Sequence, residues 1–200
     1  MNKFYVVIWI AFLLGGIAAI FWFNEWRYSL PTPIPDGLTQ VSMGDTLNVR
    51  TRFINSPGKP LLIHFFNPDC PCSRFNIPHF KSLVKKYGHD VDFVIVPLML
   101  KVQHYTAEEI QKKIGVDIPV LFDPDLAALC GVYSTPQAVI INSDNRLYYR
   151  GNYNRGRYCT DKKSNYAQFA LDALLQQNET PVFSSLALQA YGCQIPTCKK

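Results

Sequence analysis

Residues 61–78 read LLIHFFNPDCPCSRFNIP, and this stretch decides the fold. A largely apolar run of strand length ends at the turn signal Asn67-Pro68, and Cys70 then opens a predicted helix. A thiol at the start of a helix meets unpaired backbone N–H groups and the positive end of the helix dipole. Both favour the thiolate over the thiol, so we interpret Cys70 as a reactive cysteine rather than a buried structural one.

The N-terminal residues predict a membrane anchor. Residues 4–23 contain no charged side chain, and a helix of this length crosses the hydrocarbon core of a bilayer. The apolar run continues past Ala18-Ala19, which would be the cleavage site of a signal peptide, so we favour an uncleaved anchor. Lys3 precedes the span, and the positive-inside rule therefore places the N-terminus in the cytoplasm and the domain outside.

Composition indicates the cellular compartment of the protein and excludes one class of partner. Six cysteines in 200 residues fit an oxidising compartment. The formal charge of +5 is spread along the chain without a basic run, which argues against a nucleic-acid partner. We therefore expect a single-pass protein of the inner membrane whose domain faces the periplasm and which binds no nucleic acid.

The chain divides into four predicted segments. Residues 1–23 form the transmembrane anchor, and residues 24–37 form a stalk in which alternating prolines favour an extended spacer. Residues 38–177 form one folded domain, and residues 178–200 form a cysteine-containing tail without a clear pattern.

Strands and helices alternate along the domain before a final hairpin and helix. This order predicts an α/β domain with a mixed sheet. The predicted elements are a hairpin within 38–54 turning at Gly44-Asp45, strands at 61–66, 91–100 and 118–122, helices at 71–87, 106–115 and 124–130, a hairpin of 138–142 with 146–150, and a helix capped by Ser164 and ending at Gln177.

Three segments in this order resemble the thioredoxin superfamily, and most closely its periplasmic thioredoxin-like and redoxin-like members. GKPLLIHFF at 58–66 resembles the strand that enters the family's active site, and CPCSRFNIP at 70–78 resembles its CxxC helix. STPQAVII at 134–141, followed by DNR at 144–146, resembles the segment that holds the cis-proline. The resemblance covers about residues 38–177 and implies a thioredoxin-like fold, a central mixed sheet flanked by helices.

The resemblance also implies thiol–disulfide exchange. The Cys70 thiolate would attack a substrate disulfide, and a second thiol would resolve the mixed disulfide. The loop at Thr135 and the cis-proline Pro136 would lie against the active cysteine and bind an extended substrate. The implied partners are protein or small-molecule thiols and disulfides, and no cofactor is expected.

The motif departs from the family pattern at its second cysteine. Matching Arg74 and Pro78 to the family places Ser73 where that cysteine belongs, and Cys72 falls inside the motif. Helical positions three apart share a face, whereas positions two apart point about 200° from each other. We therefore expect Cys72 to be a poor, labile partner of Cys70 or a bystander that points into the domain. Arg74 would favour the thiolate of Cys70.

The other cysteines have less defined predicted roles. Cys130 ends an apolar helix face and is interpreted as a buried small hydrophobe. Cys159, Cys193 and Cys198 lie in polar or irregular sequence. We favour one structural disulfide among these three; the alternative is that a tail cysteine resolves Cys70.

Two other functions compete with disulfide exchange. Copper-delivery proteins on this fold use two cysteines and a distant histidine, and Cys70 and Cys72 are soft ligands. His79 lies about 10 Å from Cys72 along the helix axis, and His64 or His104 could approach only through tertiary folding. We therefore predict no metal site. Thiol peroxidases are the other alternative, but their pattern requires a threonine or serine three residues before the cysteine, where Asn67 stands.

Overall fold

A computed structural model describes residues 3–26, 29–52, 58–99, 104–177 and 181–195. Helix α1, Lys3–Phe21, continues as a π-helical turn at Trp22–Trp26. None of its side chains is buried. Among the described residues, Lys3–Trp26 is the one helix long and apolar enough to cross a membrane. It covers the span expected from residues 4–23.

A four-stranded mixed sheet with the order β2-β1-β4-β5 forms the centre of the domain. Strand β1, Leu61–Phe66, pairs in parallel with β2, Asp92–Pro97. The chain then returns antiparallel to β1 as β4, Gln137–Ile141, and turns into β5, Leu147–Gly151. A separate two-stranded ladder joins β3 and β6, which are Ser134–Thr135 and Cys193–Gln194.

Both faces of the sheet are covered, which explains why β1 is buried at every position. Successive side chains of a strand point to opposite faces. Leu62 and Phe66 therefore pack in one core cluster, and Leu61 and Ile63 pack in the other.

The helices are α2 Pro71–Tyr87, α3 Ala107–Ile114, α4 Asp125–Leu129, α5 Tyr166–Leu175 and α6 Ser185–Leu188. The first cluster takes residues from α2, α3 and α5, and the second takes residues from α4.

Local signals set the ends of α2 and α3 where the sequence predicts them. Pro71 is the first residue of α2, where its fixed φ suits a helix and its missing N–H costs nothing. The helix ends before Gly88 and contains Pro78. A capping box between Thr106 and Glu109 starts α3. The mixed α/β architecture and the order of its central elements are therefore those that the sequence predicts.

The predicted hairpin within residues 38–54 is not formed by the described residues. The Gly44 N–H donates to the Leu147 carbonyl over 2.8 Å, and the Leu47 N–H donates to the Asn145 carbonyl over 2.8 Å. The segment therefore pairs with the start of β5 instead of folding back on itself. The hairpin prediction was wrong because this segment pairs with β5, which is distant in sequence. Residues 53–54 lie outside the described residues.

Two smaller predictions also differ from the structure. The predicted strand at residues 118–122 contributes a single bridge, between Val120 and Ile95. Ser164 does not cap α5, because it belongs to a 3₁₀ turn at Lys162–Ser164 and Asn165 is the N-cap residue. The Ser164 hydroxyl instead donates to Asn154 Oδ1 over 3.0 Å.

The described parts of the stalk and the tail pack against the domain. Thr32 is buried, and its N–H donates to the Ala190 carbonyl over 2.7 Å. The Thr32 hydroxyl donates to the Gly192 carbonyl over 2.7 Å. In the tail, Ala187 and Ala190 are fully buried. The tail thus forms one wall of the domain, beside the cysteine motif.

Candidate active site

The turn before α2 holds Cys70 at the N-cap position of that helix. The Cys70 N–H donates to the Asn67 carbonyl over 3.2 Å, and the Asn67 side-chain oxygen accepts from the Asp69 N–H over 2.9 Å. The Asn67 N–H in turn donates to the Ser73 hydroxyl over 3.1 Å. Ser73 is fully buried. Ser73 stands where the resemblance expects a second cysteine. Its hydroxyl therefore stabilises the turn that carries the first cysteine, Cys70.

Three cysteine sulfurs meet at this helix end. Cys70 forms a disulfide with Cys193, which lies 123 positions later in the chain. Cys72 remains a thiol. The three sulfurs, of Cys70, Cys72 and Cys193, lie within 4.8 Å of one another and are all buried. We call them the sulfur cluster.

The sulfur cluster corrects two expectations. Cys72 does not point away from Cys70 as a bystander, because its sulfur lies beside both members of the disulfide. The favoured structural bridge among Cys159, Cys193 and Cys198 is not formed between the first two, since Cys193 pairs with Cys70 and Cys159 remains a thiol. Cys198 lies outside the described residues. The pairing joins positions from the two ends of the domain, which sequence spacing does not reveal.

The Thr135–Pro136 peptide bond is cis, as the resemblance implies. Thr135 is part of β3 and pairs directly with Cys193 in β6, so the backbone predicted to bind substrate is occupied by the tail of the same chain. Gly192 permits this approach, because a Cβ at that position would collide with the Thr135 carbonyl oxygen. The β3–β6 ladder therefore brings Cys193 to the active-site loop.

A cavity of about 330 Å³ opens beside the sulfur cluster, and we call it the site cavity. It reaches Cys72 and Pro136 but neither Cys70 nor Cys193. The lining residues are Ser29, Cys72, Pro136, Asn152, Tyr153, Asn154, Arg155, Gly156, Arg157, Cys159, Leu186, Tyr191 and Gly192.

Arg157 places a positive charge in the site cavity. Its Nη2 donates to Glu25 Oε1 over 2.9 Å, and the guanidinium lies 4.7 Å from the Tyr158 ring centroid. Burial lowers the pKa of Arg157, but the hydrogen bond to Tyr158 and the charges of Glu25 and Cys72 outweigh burial, so the pKa is raised. Arg157 therefore remains a cation beside the Cys72 sulfur.

The two other described thiols are poor nucleophiles at neutral pH. Burial, together with the charge of Cys72, raises the pKa of Cys159 to about 12. Its Sγ also donates to Asn76 Oδ1 over 3.0 Å. Burial raises the pKa of Cys130 to about 12, and this thiol packs in the hydrophobic core, as the sequence predicts. Neither residue competes with the sulfur cluster for exchange chemistry.

The charges expected to act on Cys70 are placed differently from the sequence expectation. Arg74 is exposed and makes no side-chain hydrogen bond or ion pair with a described residue. Asp69, which would oppose the thiolate, accepts a hydrogen bond from the Tyr105 hydroxyl over 2.7 Å. It also lies 3.4 Å from Lys113 Nζ. The charge of Asp69 is therefore paired with that of Lys113, and Arg157 is a cation in the lining of the site cavity.

The pairing of Cys193 with Cys70 agrees with the less favoured of the two expectations, in which a tail cysteine resolves Cys70. Arg157 and Gly192 were not predicted as parts of the site. Gly192 directly before Cys193 is a usable signal, because a glycine in an extended segment often marks a place where another backbone approaches closely. Arg157 offers no such signal, since it lies in a loop whose path depends on tertiary packing.

Several solved structures share this fold. A hypothetical protein from Sinorhizobium meliloti 1021 superposes with a TM-score of 0.61 at 19% identity, covering 78% of this chain and 95% of that chain. An uncharacterized conserved protein from Geobacillus kaustophilus gives 0.54 at 18% identity, covering 76% and 87%. A putative thiol:disulfide interchange protein DsbE from Chlorobium tepidum gives 0.51 at 17% identity, covering 68% and 99%. The fold is therefore thioredoxin-like.

Sequence comparison shows the family. No curated protein matches the chain at a significant level. A family profile described as a domain of unknown function, DUF6436, matches residues 39–197, which include the sulfur cluster, the cis-proline and the part of the tail that carries Cys193. The chain therefore belongs to the DUF6436 family.

Proposed function

We propose that the protein is a membrane-anchored thiol–disulfide oxidoreductase whose redox couple is Cys70 and Cys193. The observation that carries this proposal is the disulfide between the N-cap residue of α2 and a cysteine held against the cis-proline loop. A helix N-terminus stabilises the thiolate that forms when such a bond is reduced. The fold shared with a putative thiol:disulfide interchange protein supports the same chemistry.

The reaction exchanges one disulfide for two thiols. In one direction, two external thiols become a disulfide while the Cys70–Cys193 bond is reduced; in the other, an external disulfide is reduced while this bond forms. The β3–β6 ladder keeps Cys193 beside Cys70 after reduction, so the bond can re-form without a large conformational search. External partners are thiols and disulfides of proteins or small molecules.

A redox titration tests this function. The full-length protein, purified in detergent after alkylation of its free thiols, should yield a peptide that links Cys70 to Cys193. In buffers of graded thiol-to-disulfide ratio, this bond should titrate as one two-electron couple in the native protein. Cys70→Ser and Cys193→Ser should each abolish the couple, and Cys130→Ala should retain it. A bond that is reduced only after the protein unfolds would be structural and would contradict the proposal.

Copper(I) binding is a second candidate function. The sequence offered no third ligand near Cys70 and Cys72, but the structure places Cys193 within 4.8 Å of both. Three thiolates are soft ligands that suit copper(I). The reduced full-length protein should then take up one copper(I) in competition with a chromophoric chelator, and each of the three Cys→Ser variants should lose it. Equal uptake by Cys72→Ser would exclude the three-sulfur site.

The location that fits this function is the inner membrane, with the domain in the periplasm. The apolar helix Lys3–Trp26 supports an anchored protein, and a disulfide couple suits an oxidising compartment. Lys3 before the helix favours a cytoplasmic N-terminus.

A further inference from the structure

We propose that Cys72 relays electrons between the buried Cys70–Cys193 couple and a small anionic thiol or disulfide that binds in the site cavity. This inference rests on the proposed function and adds to it the point of access and the class of substrate. Four features of the described residues carry it: the burial of the couple, the reach of the site cavity, the chemistry of its two thiols, and its charge.

The couple is shielded from direct attack. Cys70 has no exposed surface, and Cys193 and Cys72 are each 2% exposed, but of the three only Cys72 lines the site cavity. The covering tail is held in place from two sides: the Asn152 N–H donates to the Ala187 carbonyl over 2.8 Å, and Thr32 bonds the backbone at residues 190 and 192. These hydrogen bonds hold the tail over the couple, and the site cavity reaches neither of its sulfurs.

The site cavity provides the other route. It is lined by Cys72, whose sulfur lies within 4.8 Å of both sulfurs of the couple. A molecule in the cavity thus meets Cys72 first, and Cys72 already lies near the bond that must be exchanged. The volume of about 330 Å³ suits a small molecule and not a folded protein.

Of the two thiols in the site cavity, Cys72 is the one suited to exchange. Cys159 is held as a thiol by burial and donates its proton to Asn76. Cys72 is the second residue of α2, where the helix dipole favours an anion, and Arg157 interacts with its charge. Disulfide exchange proceeds through a thiolate, and these two positive groups lie on the side of the thiol that would form it.

The charge of the site cavity selects the substrate class. Among the residues that the structure describes, its lining includes Arg155 and Arg157 and no acidic side chain. Glu25 bonds one nitrogen of Arg157, and Asp161 interacts with the charge of Arg155, so each cation is partly offset from outside the lining. The surface that faces a bound molecule still presents guanidinium groups, which pair well with carboxylates. The ligand that fits is a small thiol or disulfide that carries carboxylates.

The relay proceeds by three exchange steps that balance. The Cys72 thiolate attacks Cys193 Sγ; the Cys70–Cys193 bond breaks, a Cys72–Cys193 bond forms, and Cys70 leaves as a thiolate at the helix N-terminus. An external thiolate then attacks Cys72 Sγ and releases Cys193, which takes a proton. A second external thiolate attacks the mixed disulfide on Cys72, so that the external disulfide leaves and the Cys72 thiolate is restored. Two external thiols are oxidised and the couple is reduced.

Reduction kinetics test the relay. Oxidised full-length protein in detergent is mixed with glutathione, which carries carboxylates, and the reduced couple is counted by acid quench, alkylation and mass measurement. We expect Cys72→Ser to slow reduction by about 100-fold or more, because exchange then requires opening of the tail. Cys130→Ala, which also removes one buried thiol, should react at the wild-type rate. Cys72→Ala serves as a second variant, and both Cys72 variants should reach the wild-type equilibrium after long incubation.

The outcomes separate this inference from the proposed function. A wild-type couple that never titrates would refute the function, whereas a titrating couple with wild-type kinetics in both Cys72 variants would refute the relay alone. For the substrate class, glutathione should outpace the uncharged 2-mercaptoethanol and the cationic cysteamine when rates are corrected for thiolate content. Arg157→Gln should reduce that preference by about 5-fold or more. An unchanged preference would overturn the anionic class.

Discussion

Ser73 lies one helical turn beyond Cys70, the position from which a second motif cysteine would face it. Its hydroxyl accepts from the Asn67 N–H over 3.1 Å and thereby closes the turn that presents Cys70. At the position where the family pattern has a second cysteine, Ser73 thus has a structural role. The two sulfurs that lie near Cys70 come instead from the tail, at Cys193, and from the intervening position of the helix, at Cys72.

Removing the Ser73 hydroxyl should therefore destabilise the turn. In Ser73→Ala the Asn67 N–H is left without its acceptor in a buried position, which costs about 1–3 kcal/mol of unfolding free energy. Urea unfolding of the full-length protein in detergent measures the loss. Ser82→Ala, on the exposed side of the same helix, is the matched control and should lose less than about 0.5 kcal/mol. Equal losses in the two variants would contradict the assigned role.

Two buried histidines should make stability depend on pH. Burial lowers the pKa of His64 to about 3 and that of His79 to about 4, from an ordinary value of 6.5. The unfolded chain therefore binds protons on these rings near pH 6.5, whereas the folded chain does not until the pH is much lower. Their contribution to stability is complete above about pH 6.5 and is lost as the pH falls toward 4, at up to about 1.4 kcal/mol per pH unit for each ring.

The measurement is urea unfolding at pH 7 and pH 5. His64 stacks on Phe80 at a centroid distance of 4.2 Å, so His64→Phe preserves the packing while removing the titrating ring. Its loss of stability between the two pH values should be smaller than that of the wild type by about 2 kcal/mol. His89→Gln, at an exposed position, should behave as the wild type does. A wild-type pH dependence in His64→Phe would show that its ring does not control the effect.

At the scale of elements, β6 is the short strand that completes the site. It pairs Cys193 with Thr135, and Thr32 bonds the backbone just before it, at Gly192. Thr135 comes close because Gly192 has no side chain. This two-residue strand thus holds Cys193 of the tail where it can bond to Cys70, the first cysteine of the motif.

Gly192→Ala should weaken this pairing. The added methyl group would collide with the Thr135 carbonyl oxygen and the Ser134 hydroxyl, so β6 must move away from β3. We expect the equilibrium constant for forming the Cys70–Cys193 bond to fall about tenfold or more in a glutathione buffer, read by alkylation and mass measurement. Gly156→Ala, in the same site cavity but with open space around its Cβ, is the control. A wild-type constant in Gly192→Ala would refute the dependence on close approach.

Elements set by local signals could be predicted from the sequence, and elements set by distant partners could not. The ends of α2 follow from Pro71 and Gly88, and its register placed Cys70 at the helix terminus. The hairpin expected within 38–54 failed because residues 44–47 bond to β5. The helical angle between Cys70 and Cys72 was also a poor guide. Cys70 is the extended N-cap residue, so the angle of a regular helix does not apply to the pair.

At the scale of the whole molecule, the N-terminal apolar helix and the candidate site are close together. Glu25, at the end of the membrane-type helix, bonds Arg157, and Ser29 lines the site cavity. If Lys3–Trp26 remains uncleaved, the protein should stay with the membrane after an alkaline carbonate wash and retain its N-terminal sequence. A mature N-terminus beyond Ala19 would instead identify a cleaved signal and release a protein that lacks this helix.

The contact between Glu25 and Arg157 also affects how a reaction partner reaches the site cavity. If Lys3–Trp26 crosses a bilayer, this contact places the mouth of the site cavity close to the lipid surface. A partner confined to the same membrane searches two dimensions instead of three, so its effective concentration at the mouth rises without any added contact.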